Sequence, residues 1–379
     1  MNEDKATRYH RLKRWLSVAS LVWVIVLLVG LVVTGGSLAL RSVCEQLAGR
    51  WFPWPVVDRI AARSAYLLLV ALGNEVIALP LAFYSGYIVE HRYNLSTQRV
   101  GHWMREQLKG AAVGGAFGLV AFNLLYLVID AWPQRWWLAA AAGFVLVTIL
   151  LANLFPVLLL PIFYRLTPLA RETLRSRLLA LAERADVPVV NAFEWRVSDR
   201  TKKANAMLAG IGRTRRILVS DTLLADYSDE EIEVILAHEL GHHAHADIWR
   251  GIAYEAALSV AGFFLAEEVL ARMAPLAGLR GPADVAGLPL LLLALGAVSL
   301  VLLPTANALS RWQERRADAY AIRLTNNSAA FISAMRRLAS QNLAEEDPSA
   351  LVRALFYTHP PVGERIAAAR SADSRRPGD

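Results

Sequence analysis

The chain has 379 residues, 55% of them hydrophobic and 19% charged, and a mean hydropathy of +0.36. The apolar residues stand in long unbroken runs, which argues against a soluble enzyme and for a membrane protein. One cysteine, Cys44, excludes an internal disulfide framework and a thiolate metal cluster, and the net charge of +7 comes without the basic aromatic groove or Cys/His finger that would suggest nucleic acid.

A bilayer core needs about 20 apolar residues per helix. Six runs qualify, at residues 15–40, 64–89, 110–129, 136–164, 251–270 and 285–310. The first is too long for a signal-peptide core, and no small-residue cleavage site follows it. Glu75 interrupts the second run, and Glu255, Glu267 and Glu268 the fifth. Acids at that depth are costly and face a cavity or a partner, so Glu75 and Glu255 either bond between helices or line a functional cavity. Residues 41–63 are rich in Trp, Pro and Arg and are expected to lie in the interface.

Orientation follows from Lys and Arg in the flanks. Lys5, Arg8, Arg11, Lys13 and Arg14 precede the first run; Arg92, Arg99, Arg105 and Lys109 follow the second; Arg311, Arg315 and Arg316 follow the sixth. With six spans all fall on one side, which places the N-terminus, the hydrophilic blocks and the C-terminus in the cytoplasm. The Ala-, Leu- and Arg-rich composition suggests a bacterial inner membrane; in a eukaryote it would be that of the endoplasmic reticulum.

The chain then divides into a membrane domain at 1–164 with four spans, a block at 165–250, two spans at 251–310, a second block at 311–370 and a disordered tail at 371–379. In the first block, residues 168–185 read as a helix and 187–197 as a strand. Residues 204–209 and 216–220 read as a hairpin. Ser228 starts a helix that Glu231 closes as a capping box, running to about His245.

That helix carries His238-Glu239-Leu240-Gly241-His242, an H-E-x-x-H pattern. Residues four apart share a helix face, so both imidazoles reach one Zn²⁺ at about 2.0–2.1 Å. Glu239, offset around the helix, sits beside the metal, where it takes a proton from a zinc-activated water. Two His and a Glu on an otherwise apolar helix would go unsatisfied unless something bound them. His243 and His245 point elsewhere and are read as solvated or as neighbours of the ligands. Catalytic zinc keeps three protein ligands and one open position. The best third ligand is Glu314, with Asp318 four residues on to accept a hydrogen bond from a ligand histidine. Alternatively, both are surface charges paired with Arg311, Arg315 or Arg316. Two spans separate His242 from Glu314, so the chain crosses and returns.

Taken together, these residues resemble the integral-membrane zinc-dependent CAAX prenyl proteases of type I and their bacterial homologues. The resemblance covers nearly the whole chain. It rests on YSGYIVEHRYNLSTQ after the second run, the NAM and RILVSDTLL hairpin, HELGHH, the E-x-x-A-D of Glu314 to Asp318, and THPPVGERI near the end. It implies a mostly α polytopic membrane bundle with a gluzincin-like zinc protease domain containing a small β-hairpin. It implies His238, His242 and Glu314 as ligands, Glu239 as general base and Asp318 as the acid behind a ligand. It places Asn205, Ala206 and Met207 on an edge strand that binds an extended substrate, and His359 and Arg365 near the oxyanion. The substrate would be a peptide or protein, lipidated at a C-terminal Cys in the prenyl-protease case. Eukaryotic members have seven spans around a water-filled chamber; here six are legible, and the missing one falls near residues 41–63. Two rivals remain: a quality-control protease of the two-span heat-shock type, and a metal-binding membrane scaffold or transporter.

Overall fold

The computed structural model describes residues 2–210 and 212–374. The first apolar run forms α1 (Asn2–Val33), which ends short of the expected residue 40. Gly35, at a left-handed φ of 69°, turns the chain into α2 (Gly36–Trp51). This helix occupies much of the segment expected in the interface. It buries Cys44 and Ala48, four residues apart on one face. Ser37 meets the Tyr66 hydroxyl and donates to the Ala286 carbonyl, each at 2.6 Å. Arg41 bonds Asp284, and Arg280 forks onto Glu45 at 2.6 and 3.0 Å. Charges that break the apolar pattern in the sequence are thus partnered by residues more than two hundred positions away.

Next come α3 (Pro55–Phe83), which opens on a proline and passes through a π-helical turn, Tyr84–Val89, into α4 (Glu90–Arg92), and then α5 (Val100–Ala131). α6 (Trp136–Leu154) runs through a second π turn, Phe155–Leu159, into α7 (Leu160–Phe163). Residues 2–163 therefore hold five helical rods where the sequence suggested four spans, the added one being α2. At about 24 Å, its 16 residues fall short of a bilayer core.

Among the described residues, five helices are long and apolar enough to cross a membrane: Lys5–Val33, Pro55–Arg92, Val100–Ala131, Trp136–Leu154 and Val285–Thr325. Five of the six expected runs overlap these helices. The run at 251–270 lies in α11 (Asp247–Met273), whose Arg250, Glu255, Glu267 and Glu268 lower its apolarity. It packs against both α6 and α12 (Leu288–Thr325). At one end of the bundle Tyr66, Tyr126, Ile129 and Trp136 share a core with Phe263, Leu270 and Leu288. Arg63 forks onto Asp130 there, at 2.7 and 2.9 Å.

The hydrophilic blocks fold together around a separate core. Strands β1 (Leu166–Pro168), β2 (Ala192–Trp195), β3 (Ala206–Ala209) and β4 (Arg216–Ser220) form one mixed sheet in the order β1-β2-β4-β3. The expected hairpin is its β3/β4 edge. The expected strand at 187–197 shortens to β2. The expected helix at 168–185 becomes α8 (Glu172–Arg184), with Pro168 given to β1. Then follow α9 (Asp221–Asp226), α10 (Asp229–Ala244), α13 (Ser328–Gln341), α14 (Ala350–Phe356) and α15 (Val362–Ser374). Residues 371–374 of the expected disordered tail are thus helical; 375–379 lie outside the described residues.

Candidate metal centre

Ser228 and Glu231 close the capping box that starts α10. Glu231 also accepts from Ser333 at 2.5 Å and lies 3.1 Å from Arg337, which ties α10 to α13. α10 presents His238 and His242 to α12, which presents Glu314. The two Nε2 atoms are 3.2 Å apart, and Glu314 oxygens lie 3.2 Å from His238 Nε2 and 3.3 Å from His242 Nε2. Donors each about 2.0–2.1 Å from one tetrahedral ion stand about 3.3 Å apart, so this triangle fits a metal. Glu314 is buried, and its Oε2 has no hydrogen-bond partner among the described residues. Arg311 donates instead to the Arg353 and Tyr357 carbonyls, and Arg315 faces Glu364. The surface-charge alternative for Glu314 and Asp318 therefore fails.

Each histidine is oriented from behind. His238 Nδ1 lies 2.8 Å from Asp318, onto which Arg365 forks at 2.6 and 2.8 Å. Burial pushes the His238 pKa down, but Asp318 and Glu314 outweigh it and raise it to about 9. His242 Nδ1 lies 3.1 Å from Asp247, which is itself buried and held by Arg250 at 2.9 Å. Sequence reasoning missed Asp247. Its signal was an acid just past the helix end; Ala246, at a φ of 54°, folds the chain back so that it reaches His242. With both Nδ1 atoms engaged by carboxylates, both Nε2 atoms are free to ligate.

Glu239 is half-buried beside the triangle, and burial raises its pKa above the ordinary carboxylate range, with His238 and His242 pulling against it. His359 Nε2 stands 3.3 Å from Glu314 on the open side, its ring 60% exposed. Glu239, His359, Arg365, Asn205 and Ala206 all line one cleft of about 390 Å³.

β3 is the free edge of the sheet. The Ser220 N–H donates to the Asn205 carbonyl at 3.0 Å, and Ala206 is in register with Val219. In an antiparallel pair, bonded and non-bonded positions alternate. Met207 therefore bonds inward to Leu218, while Ala206 and Leu208 turn their peptide groups to the open edge. Leu208 packs toward α10, near Glu239 and His243. The edge left open is at Ala206. The Met207 side chain packs on the opposite face of the sheet, with Trp195 and Leu218, and is not brought into the cleft.

The HRYNLSTQ segment explains how the edge is held. Thr97 N–H donates to the Arg200 carbonyl at 3.1 Å, Lys202 N–H donates to the Leu95 carbonyl at 2.9 Å, and Ser96 and Thr97 hydroxyls donate to the Arg200 and Ser198 carbonyls. The loop leading into β3 is thereby clamped to the membrane helices. His243 lies against β3, its pKa pushed down to about 4 by burial and Arg215. His245 stacks edge-on against Tyr320. Glu75 and Glu255 are exposed.

Residues 168–373 match peptidase family M48, and residues 2–165 match the CAAX prenyl protease N-terminal region with five membrane helices. An uncharacterized metalloprotease YhfN of Bacillus subtilis is 32% identical, over 86% of this chain and 77% of that one. CAAX prenyl protease 1 of Saccharomyces cerevisiae is 26% identical, over 83% and 73%. The crystal structure of S. mikatae Ste24p superposes with a TM-score of 0.85 at 22% identity, covering 97% of this chain and 88% of the other. A His238–His242–Glu314 triangle that could hold a metal ion, a membrane bundle and matches along nearly the whole chain place this protein in peptidase family M48, as a multi-pass membrane metallopeptidase of the CAAX prenyl protease type.

Proposed function

We propose that the chain is a zinc metalloendopeptidase that processes the C-termini of lipidated, CAAX-type substrates. One observation carries this reading: His238 of the three-donor triangle, the Glu239 carboxylate and the open strand edge at Asn205 and Ala206 line a single cleft. His238, His242 and Glu314 would hold Zn²⁺, which when bound supplies a Lewis acid and lowers the pKa of a water.

Glu239, held above its ordinary pKa by burial, accepts a proton from water entering the cleft and returns it to the leaving amine. The Ala206 N–H and carbonyl pair with the extended substrate, and Asn205 offers its amide at the rim. Met207 contributes through the backbone bond that keeps β3 in register. His359 donates to the developing oxyanion. Arg365 is committed to Asp318, so it adds positive charge and steadies His238 rather than swinging into the cleft.

Relatives named CAAX prenyl protease 1 support the substrate class. The basic flanks support a cleft on the cytoplasmic side. α11 would then be a sixth crossing, which allows α12 to bring Glu314 back to the side of His242. The test is cleavage of a farnesylated CAAX peptide against the same peptide without lipid. We expect release of the C-terminal tripeptide from the lipidated form alone. Equal cleavage of unlipidated or unfolded membrane segments would favour a quality-control role instead.

A further inference from the structure

We propose that the cleft between the start of α5 and the end of α7 binds the phosphate headgroup of an anionic membrane lipid. This cleft, of about 540 Å³, is distinct from the metal centre. Its lining brings Arg105, Lys109, Arg165, Arg196 and Arg200 together against two carboxylates, Glu106 and Asp199, an excess of three positive charges.

The carboxylates do not neutralise the whole group. Glu106 is taken by Arg200 at 3.1 Å and Lys109 at 3.2 Å, with His102 at 3.6 Å. Asp199 lies 4.0 Å from the same Arg200. Among the described residues no carboxylate pairs with Arg105, Arg165 or Arg196, and all three are exposed. Arg200 is fixed in place: it lies 4.3 Å over the Tyr164 ring and donates to the Phe163 carbonyl. The cleft thus has a rigid cationic floor and three free guanidinium arms. Guanidinium groups match phosphate oxygens in a fork geometry.

Position selects the source of the phosphate. Met104 and Leu108, one residue before Arg105 and Lys109, are 37% and 65% exposed, and Ile162 is 41% exposed. α5 and α6 both belong to the helices apolar enough to span a membrane. The basic stripe therefore abuts the acyl-facing stripe, as a headgroup with its tails requires. A soluble anion would make no use of that apolar rim. The floor residue Arg200 also belongs to the loop clamped by Ser96 and Thr97 ahead of β3, so a bound headgroup would brace the approach to the substrate edge.

The experiment reconstitutes the full chain in nanodiscs of equimolar phosphatidylglycerol and phosphatidylcholine. Lipids retained after re-extraction are counted by native mass spectrometry. Wild type is expected to retain phosphatidylglycerol with about fivefold preference, and Arg105→Ala/Arg165→Ala/Arg196→Ala to lose that preference with an unchanged thermal midpoint in pure phosphatidylcholine. The single variants Arg105→Gln and Arg165→Gln, whose side chains are exposed, should each lose part of it. Equal retention by wild type and these variants would overturn the proposal. So would stabilisation of the lipid-free detergent form by inorganic phosphate alone with no preference between the two lipids, which would assign the cleft to a soluble anion.

Discussion

Gly241 and Ala317 are where the two helices that carry the candidate metal centre meet. A Cβ on Gly241 would stand 3.0 Å from the Ala317 Cα and 3.2 Å from its carbonyl oxygen. The close crossing of α10 and α12 lets His238 and His242 reach Glu314. We expect Gly241→Ala to push the helices apart, costing about 1–3 kcal/mol of stability. Bound zinc per chain should fall with it, measured by metal analysis alongside a thermal scan. A variant with full zinc and an unchanged midpoint would show that the crossing has slack.

Glu239 and Glu314 should separate cleanly. Glu239→Gln keeps the triangle and removes the base, so zinc should stay bound while cleavage falls about 10²–10⁴-fold. Glu314→Ala removes a donor, so zinc content itself should fall. Full activity in the first variant, or full zinc in the second, would break the assigned roles.

Asp247 supports His242 from outside the triangle. Asp247→Asn should lower zinc affinity or activity about 10–100-fold. A chelator competition curve reads this directly, and an unshifted curve would reduce Asp247 to a helix-start residue.

Two prolines distinguish the faces of β3. The Ala206 N–H points to the open edge, so Ala206→Pro should fold and bind zinc but lose about tenfold in kcat/KM, the worth of one substrate hydrogen bond. The Met207 N–H bonds to Leu218, so Met207→Pro should damage the sheet itself. If both variants behave alike, substrate does not pair along this edge.

The H-E-x-x-H helix, its capping box and the β3/β4 hairpin depend on neighbours within a few positions, and all were read correctly. Helix α2 was missed because Arg41 and Glu45 break the apolar run, and their partners, Asp284 and Arg280, lie far along the chain. α11 carries the remaining expected run, interrupted by Glu255, Glu267 and Glu268, and is not among the five helices that are apolar enough by composition. Asp247 was missed because its reach to His242 depends on the left-handed turn at Ala246.

The sequence by itself determined that this is a membrane protein with two histidines on one helix face, since run length and a four-residue spacing are local properties of the chain. Only the tertiary structure decided that Glu314 closes the triangle, that Asp247 stands behind His242 and that Met207 faces away from the cleft. Those facts depend on helix crossings, sheet register and a chain reversal, which bring together groups that local pattern leaves apart.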